Sequence, residues 1–166
     1  MARRLRIKER KSFTENTRRL VTNLLLVFLD RADIVASHPR LKTELHQMRV
    51  AGKQLRYLME VSAVAFKPEF SGCLEELKSV LDLMGRIHDC DVHIPRLVSF
   101  QEEIRYFNKN HAESASRIST AALTRMIRVL HNRRTTLFET MARSLSKWKE
   151  DDFKSRLITS MQDADA

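Results

Sequence analysis

Apolar residues recur along this chain at steps of three, four and seven over long stretches, which is the pattern of amphipathic helices. Between Ser12 and Ala36, Phe13, Leu20, Leu24, Val27, Phe28 and Val35 mark one stripe, and Ser12 followed by Glu15 supplies a capping-box start. His38-Pro39 ends that helix, because a residue before proline is pushed out of helical backbone. A second stripe, Leu41, Leu45, Met48, Leu55, Met59 and Phe66, runs as far as Lys67-Pro68. Ser71-Gly72 then opens a third helix bearing Leu74, Leu77, Leu81, Met84 and Val92, with Pro95 as its kink or end. Past a polar stretch around Asn108 to Ser116, the residues Leu123, Ile127, Leu130, Leu137, Met141, Leu145 and Trp148 define a fourth helix. Asp151-Asp152 start a short last one. Long stripes joined by short connections predict an all-α fold, an antiparallel four-helix bundle over residues 12–160 with a short extra helix at its C-terminal end.

Composition agrees with this reading. Three Gly and three Pro in 166 residues leave little turn chemistry for a sandwich or barrel, and the length suits one domain with its own core. Residues 1–11 stand apart: Arg3, Arg4, Arg6, Lys8, Arg10 and Lys11 face a single Glu, and the few apolar residues cannot anchor a helix. The expectation there is a basic flexible arm. Cys73 and Cys90 match no disulfide framework, zinc or redox spacing, which fits a reducing compartment. The longest apolar run, Leu24 to Leu29, is far short of the ~20 residues that span a bilayer. The basic start also lacks a signal peptide's apolar segment, so a cytoplasmic protein without a membrane span is expected.

Charge narrows the choice of partner. Thirty Lys and Arg against 21 Asp and Glu give +9, which concentrates anions around the molecule. Within the second helix, the segment HQMRVAGKQLRY places His46, Arg49, Lys53, Arg56 and Tyr57 in a sector of about 100° beside the apolar stripe. No Asp or Glu occurs between Leu45 and Met59. Exposed helices ordinarily intersperse Glu with Lys, since a like-charge pair one turn apart costs ~0.2–0.5 kcal/mol. A row of cations left uncompensated suits an extended chain of phosphates: Arg offers forked donors, Lys a point charge, and His a charge that a nearby phosphate favours. A solvated face whose acidic partners come from a neighbouring helix is the plainer alternative.

Two further arginines interrupt apolar stripes. Arg31 lies among Leu24, Phe28 and Val35, and Arg134 among Leu130, Leu137 and Met141. An inward guanidinium must meet a carboxylate, reach water at the end of the helix, or line an anion site. Both are candidates to extend the basic strip, Arg134 the stronger of the two.

Metal-ligand types gather only in GRIHDCDVH, with His88, Asp89, Cys90, Asp91 and His93. His88, Cys90 and His93 point in separate directions around the helix, so a core-edge histidine and aspartates paired with cations explain the segment as readily as a metal does. The His88-Asp89 dyad also suggests a metal-dependent HD-type phosphohydrolase, with His88, Asp89 and Asp91 as metal candidates. Its outer ligands would then have to come from His38 or His46 and from Asp151 or Asp152.

Taken together, HQMRVAGKQLRYLMEV and the later LEELKSVLDLMGRIHDCDV resemble the CHAD family, the conserved histidine α-helical domain. His46, Arg49, Val50, Lys53, Leu55, Arg56 and Tyr57 meet its first signature, and Met84, Gly85, Asp89, Asp91 and Val92 its second. His88 stands where Arg or Asn is common. The resemblance implies a helical bundle whose basic surface binds inorganic polyphosphate, with no catalysis and no cofactor. CHAD domains usually pair two related bundles across a basic cleft, whereas this chain suits only one. Two copies pairing as a homodimer would rebuild that cleft. A triphosphate-tunnel catalytic domain often accompanies the family, and no such β-rich segment occurs in this sequence.

A non-specific nucleic-acid-binding protein is the remaining alternative. Tyr57 is the one aromatic in the strip, too few for base stacking, and no duplex-reading motif is present. Weak, salt-sensitive nucleic-acid binding is still expected from the charge.

Overall fold

A computed structural model describes residues 7–38, 41–110 and 117–162. The chain is all-helical. Helix accounts for 88% of the described residues, which contain five α-helices and no strand. These are α1 (Phe13–Ser37), α2 (Lys42–Ser62), α3 (Pro68–Asn110), α4 (Ala121–Glu150) and α5 (Phe153–Ser160), with a 3-10 turn at Ala63–Ala65. None is long and apolar enough to cross a membrane, among the described residues. Two compact units divide the chain: Met1–Asp82 with Met141–Ala166, and Leu83–Thr140.

The first unit begins with the capping box read from the sequence. Ser12 Oγ accepts from the Glu15 amide at 3.1 Å, and the Glu15 carboxylate accepts from the Ser12 amide at 2.9 Å. That amide, with Lys11 close by, holds the Glu15 carboxyl below its ordinary pKa. Residues 1–6 of the expected arm lie outside the described residues. Lys8 and Lys11 are tied to α1 through the buried Asn16, whose side chain accepts from the Lys8 amide and donates to the Lys8 and Lys11 carbonyls.

Phe28, Leu25 and Val21 on α1 and Met48, Leu55 and Met59 on α2 are fully buried, each contributing about 1.5–3 kcal/mol of transfer free energy. Gly52 lets the two helices come close. A Cβ there would lie 2.6 Å from Leu81 Cδ2 and 2.8 Å from Phe28 Cε2. The later stretch of the unit closes on the same core: Trp148 stacks on Phe153 at 4.0 Å and tilts against Phe28 at 6.1 Å. Asp152 caps α5 from a left-handed backbone at φ 45°, its carboxylate accepting from the Ser155 amide. Hydrogen bonding from the Ser155 hydroxyl, and then from its amide, lowers the Asp152 pKa. Arg156 forms a two-pronged bridge to Glu76 at 2.8 and 2.9 Å.

Three expectations about boundaries change. Phe66 does not extend the core stripe of α2; it lies beyond the 3-10 turn in extended backbone, its ring 4.9 Å from that of Phe70. The third helix opens at Pro68, ahead of Ser71-Gly72, because proline is tolerated in the first turn, where its missing amide has no helical partner. Pro95 does not end it. The buried face runs across the proline, from Ile94 before it to Gln101 and Ile104 after it, and burial of that face outweighs one lost backbone bond.

In the second unit, the later part of α3 and the earlier part of α4 are linked at two levels, Arg134 to Asp91 and Gln101 to Thr124, and Asn108 is linked to Ile118 just ahead of α4. Residue numbers rise on α3 as they fall on α4. The two segments therefore run in opposite directions.

Candidate polyanion-binding surface

Helix α2 presents the strip because its other side is committed to the core. Leu45, Met48, Gly52, Leu55 and Met59 face inward and are buried. The intervening residues must then emerge at the boundary, and Arg49, Lys53 and Arg56 are half-buried, with His46 and Tyr57 exposed. Long basic side chains at such a boundary can bury their aliphatic stems and keep their charged ends in water.

Arg49 and Lys53 make no ion pair or hydrogen bond with any described residue. Arg56 places its guanidinium 4.8 Å over the Tyr57 ring, a cation–π contact that holds both side chains along the helix. Its Nε lies 3.6 Å from Glu60 Oε1, outside hydrogen-bond reach, and has no acceptor. Glu60 also lies 3.6 Å from Lys78 Nζ on α3, and Lys78 is bridged to Glu75 at 2.8 Å. The hydrogen bond that Lys78 donates to the Glu75 carboxylate raises the Lys78 pKa. One end of the strip is thus balanced by carboxylates while Arg49 and Lys53 are not. Lys78 escapes a sequence reading: it is a single lysine amid the stripe of α3, and only folding brings it beside Glu60.

Arg31 and Arg134 have different surroundings. Arg31 Nη1 meets Glu44 Oε2 at 2.5 Å, joining α1 to the first turn of α2. Arg134 Nε meets Asp91 Oδ1 at 2.8 Å and its Nη2 meets Oδ2 at 3.4 Å, with side chains only 16% and 9% exposed. Each guanidinium has found a carboxylate, and for Arg134, the more buried of the two, burial requires it. Arg134 moreover belongs to the second unit, and the strip to the first.

The HDCDVH segment spreads around α3 as the spacing indicates. Cys90 is buried, His88 and Asp91 are half-buried, and Asp89 and His93 are exposed. No group of three or more His, Cys, Asp or Glu side chains that could hold a metal occurs among the described residues. His38, considered as an outer ligand, packs its ring nitrogen 3.3 Å from the Ile34 carbonyl at the end of α1.

A family model described as the CHAD domain matches residues 2–98, more than half of the chain. The chain belongs to the CHAD domain family. The match takes in α1, α2 and α3 as far as Val98, so the whole strip lies inside the CHAD region, and α4 with Arg134 lies outside it. No curated protein and no solved structure gives a significant match.

Proposed function

We propose that this CHAD protein holds inorganic polyphosphate along α2, with Arg49 and Lys53 as its principal contacts and His46, Arg56 and Tyr57 flanking them. The observation that carries the reading is the pair Arg49 and Lys53, neighbouring cations without a protein partner on a helical face free of acids. The family's association with polyphosphate supports the choice of anion. Arg31 and Arg134 then serve the fold, through Glu44 and Asp91. The function is binding without turnover, and it requires no cofactor. The four long helices form the up-and-down bundle of such a module, and it works as a pair of copies in the cytoplasm, where buried free thiols such as Cys73 and Cys90 are at home.

A calorimetric titration with long-chain polyphosphate, run beside single-stranded DNA of matched charge at physiological salt with chelator present, tests this. Polyphosphate is expected to bind selectively and to be recovered at its original length. Equal, steeply salt-dependent binding to both polymers would leave only a basic helical protein. Replacing Arg49 and Lys53 together with Gln is expected to weaken polyphosphate binding about tenfold or more, equivalent to ~1.4 kcal/mol. The melting temperature should barely move, because neither side chain has a partner to lose. Unchanged affinity in that variant would sink the assignment.

A further inference from the structure

The paired segments of α3 and α4 in the second unit share an apolar side that is partly exposed among the described residues. On α3, Asp91, Gln101 and Asn108 face α4. At ~100° per residue, Leu97, Phe100, Ile104 and Phe107 fall on one flank of that direction. On α4, Thr124 and Arg134 face α3, and Leu123, Met126, Leu130 and Leu137 fall on one flank. Because the two segments run in opposite directions, both flanks open to the same side. That apolar side is buried at Leu137 and Ile104, half-buried at Leu97, Leu123 and Leu130, and exposed at Phe100, Phe107 and Met126, which are 51%, 44% and 52% accessible.

We infer that this side docks on the same side of a second copy of the chain, about a two-fold axis passing near Phe100. The charges beside the patch point to a second copy. Arg96 and Glu103, both exposed, share the outer edge of the Phe100 flank and bracket Phe100 seven residues apart. Neither has an ion-pair or hydrogen-bond partner among the described residues. A two-fold axis midway between them sets Arg96 of one copy against Glu103 of the other, and the same pair forms again by symmetry, as an isologous contact demands. The area is sufficient. With aromatics worth ~150–250 Å² each when fully covered, the two half-exposed Phe rings, Met126, the half-buried leucines and the side-chain stems offer roughly 500 Å² per copy. A pair then buries about 1,000 Å², the lower end for a specific interface. This assigns a surface to the pairing of copies and does not depend on which anion α2 holds.

Sedimentation of the full chain across micromolar concentrations, without polyphosphate, tests the inference. The wild type is expected to reach a dimer. Phe100→Asp should weaken association about tenfold or more, with helical content by circular dichroism unchanged. Arg96→Glu and Glu103→Arg should each weaken it, and the double charge swap R96E/E103R should restore it. A wild type that stays monomeric throughout would overturn the inference, as would a dimer indifferent to Phe100→Asp or a swap that fails to rescue. Polyphosphate affinity, measured on the Phe100→Asp variant, separates failure of this interface from failure of the α2 assignment.

Discussion

Arg49 and Arg134 are the same side chain on two helices with similar stripes, and their surroundings differ in one respect. Arg134 is 16% exposed and grips a carboxylate that is 9% exposed, whereas Arg49 sits at the solvent boundary with no partner. Desolvation explains the division. A guanidinium in the interior costs several kcal/mol unless it is paired, so a buried arginine is used up by the fold. At the boundary water keeps the charge inexpensive, and the cation stays available to a ligand. An arginine interrupting an apolar stripe is therefore a poorer guide to an anion site than one running beside the stripe.

This contrast can be broken by mutation, most forcefully at Arg134. Arg134→Ala strands Asp91 and should cost about 3–5 kcal/mol of stability, read as a fall in the urea midpoint. Replacing both partners with Leu should recover most of it. Loss of polyphosphate affinity by an Arg134→Ala variant that remains folded would overturn the distinction. Gly52→Ala probes what carries the strip. The new Cβ would crowd Leu81 and Phe28, and overpacking of ~1–3 kcal/mol exceeds the helix-propensity gain of up to ~1 kcal/mol. Net destabilisation of roughly 1 kcal/mol, seen in thermal unfolding, is expected. The smallest effect belongs to Glu60→Gln, which removes the carboxylate near Arg56 and Lys78. Polyphosphate should then bind about twofold more tightly at low salt, with the gain fading at high salt as these partly exposed charges are screened.

Local signals were readable in the sequence and distant ones were not. The Ser12–Glu15 box, the stripe of α2 and the Asp152 start of α5 each rest on residues a few positions apart, and each appears in the fold. The inward direction of Arg31 and Arg134 was equally local. Their partners were not: Glu44 lies 13 residues from Arg31, and Asp91 lies 43 from Arg134, so no spacing rule connects them. Pro95 as a helix end was overturned for a related reason. Its local preference is to stop a helix, and what overrides it is the burial of Ile94 and Ile104 on either side, a tertiary effect. The acid-free strip of α2 was visible at once, but that Arg49 and Lys53 lack a carboxylate from any neighbouring helix could be learned only from the folded chain.

Cys73 and Cys90 are 2% and 3% exposed, and one belongs to each compact unit. Burial pushes the Cys73 thiol above its ordinary pKa, so it is a slow nucleophile while its surroundings stay closed. A thiol reagent added to the native protein can therefore react at either position only as fast as that unit opens. Following the two labels separately by mass spectrometry reports the opening of each compact unit, with no residue changed.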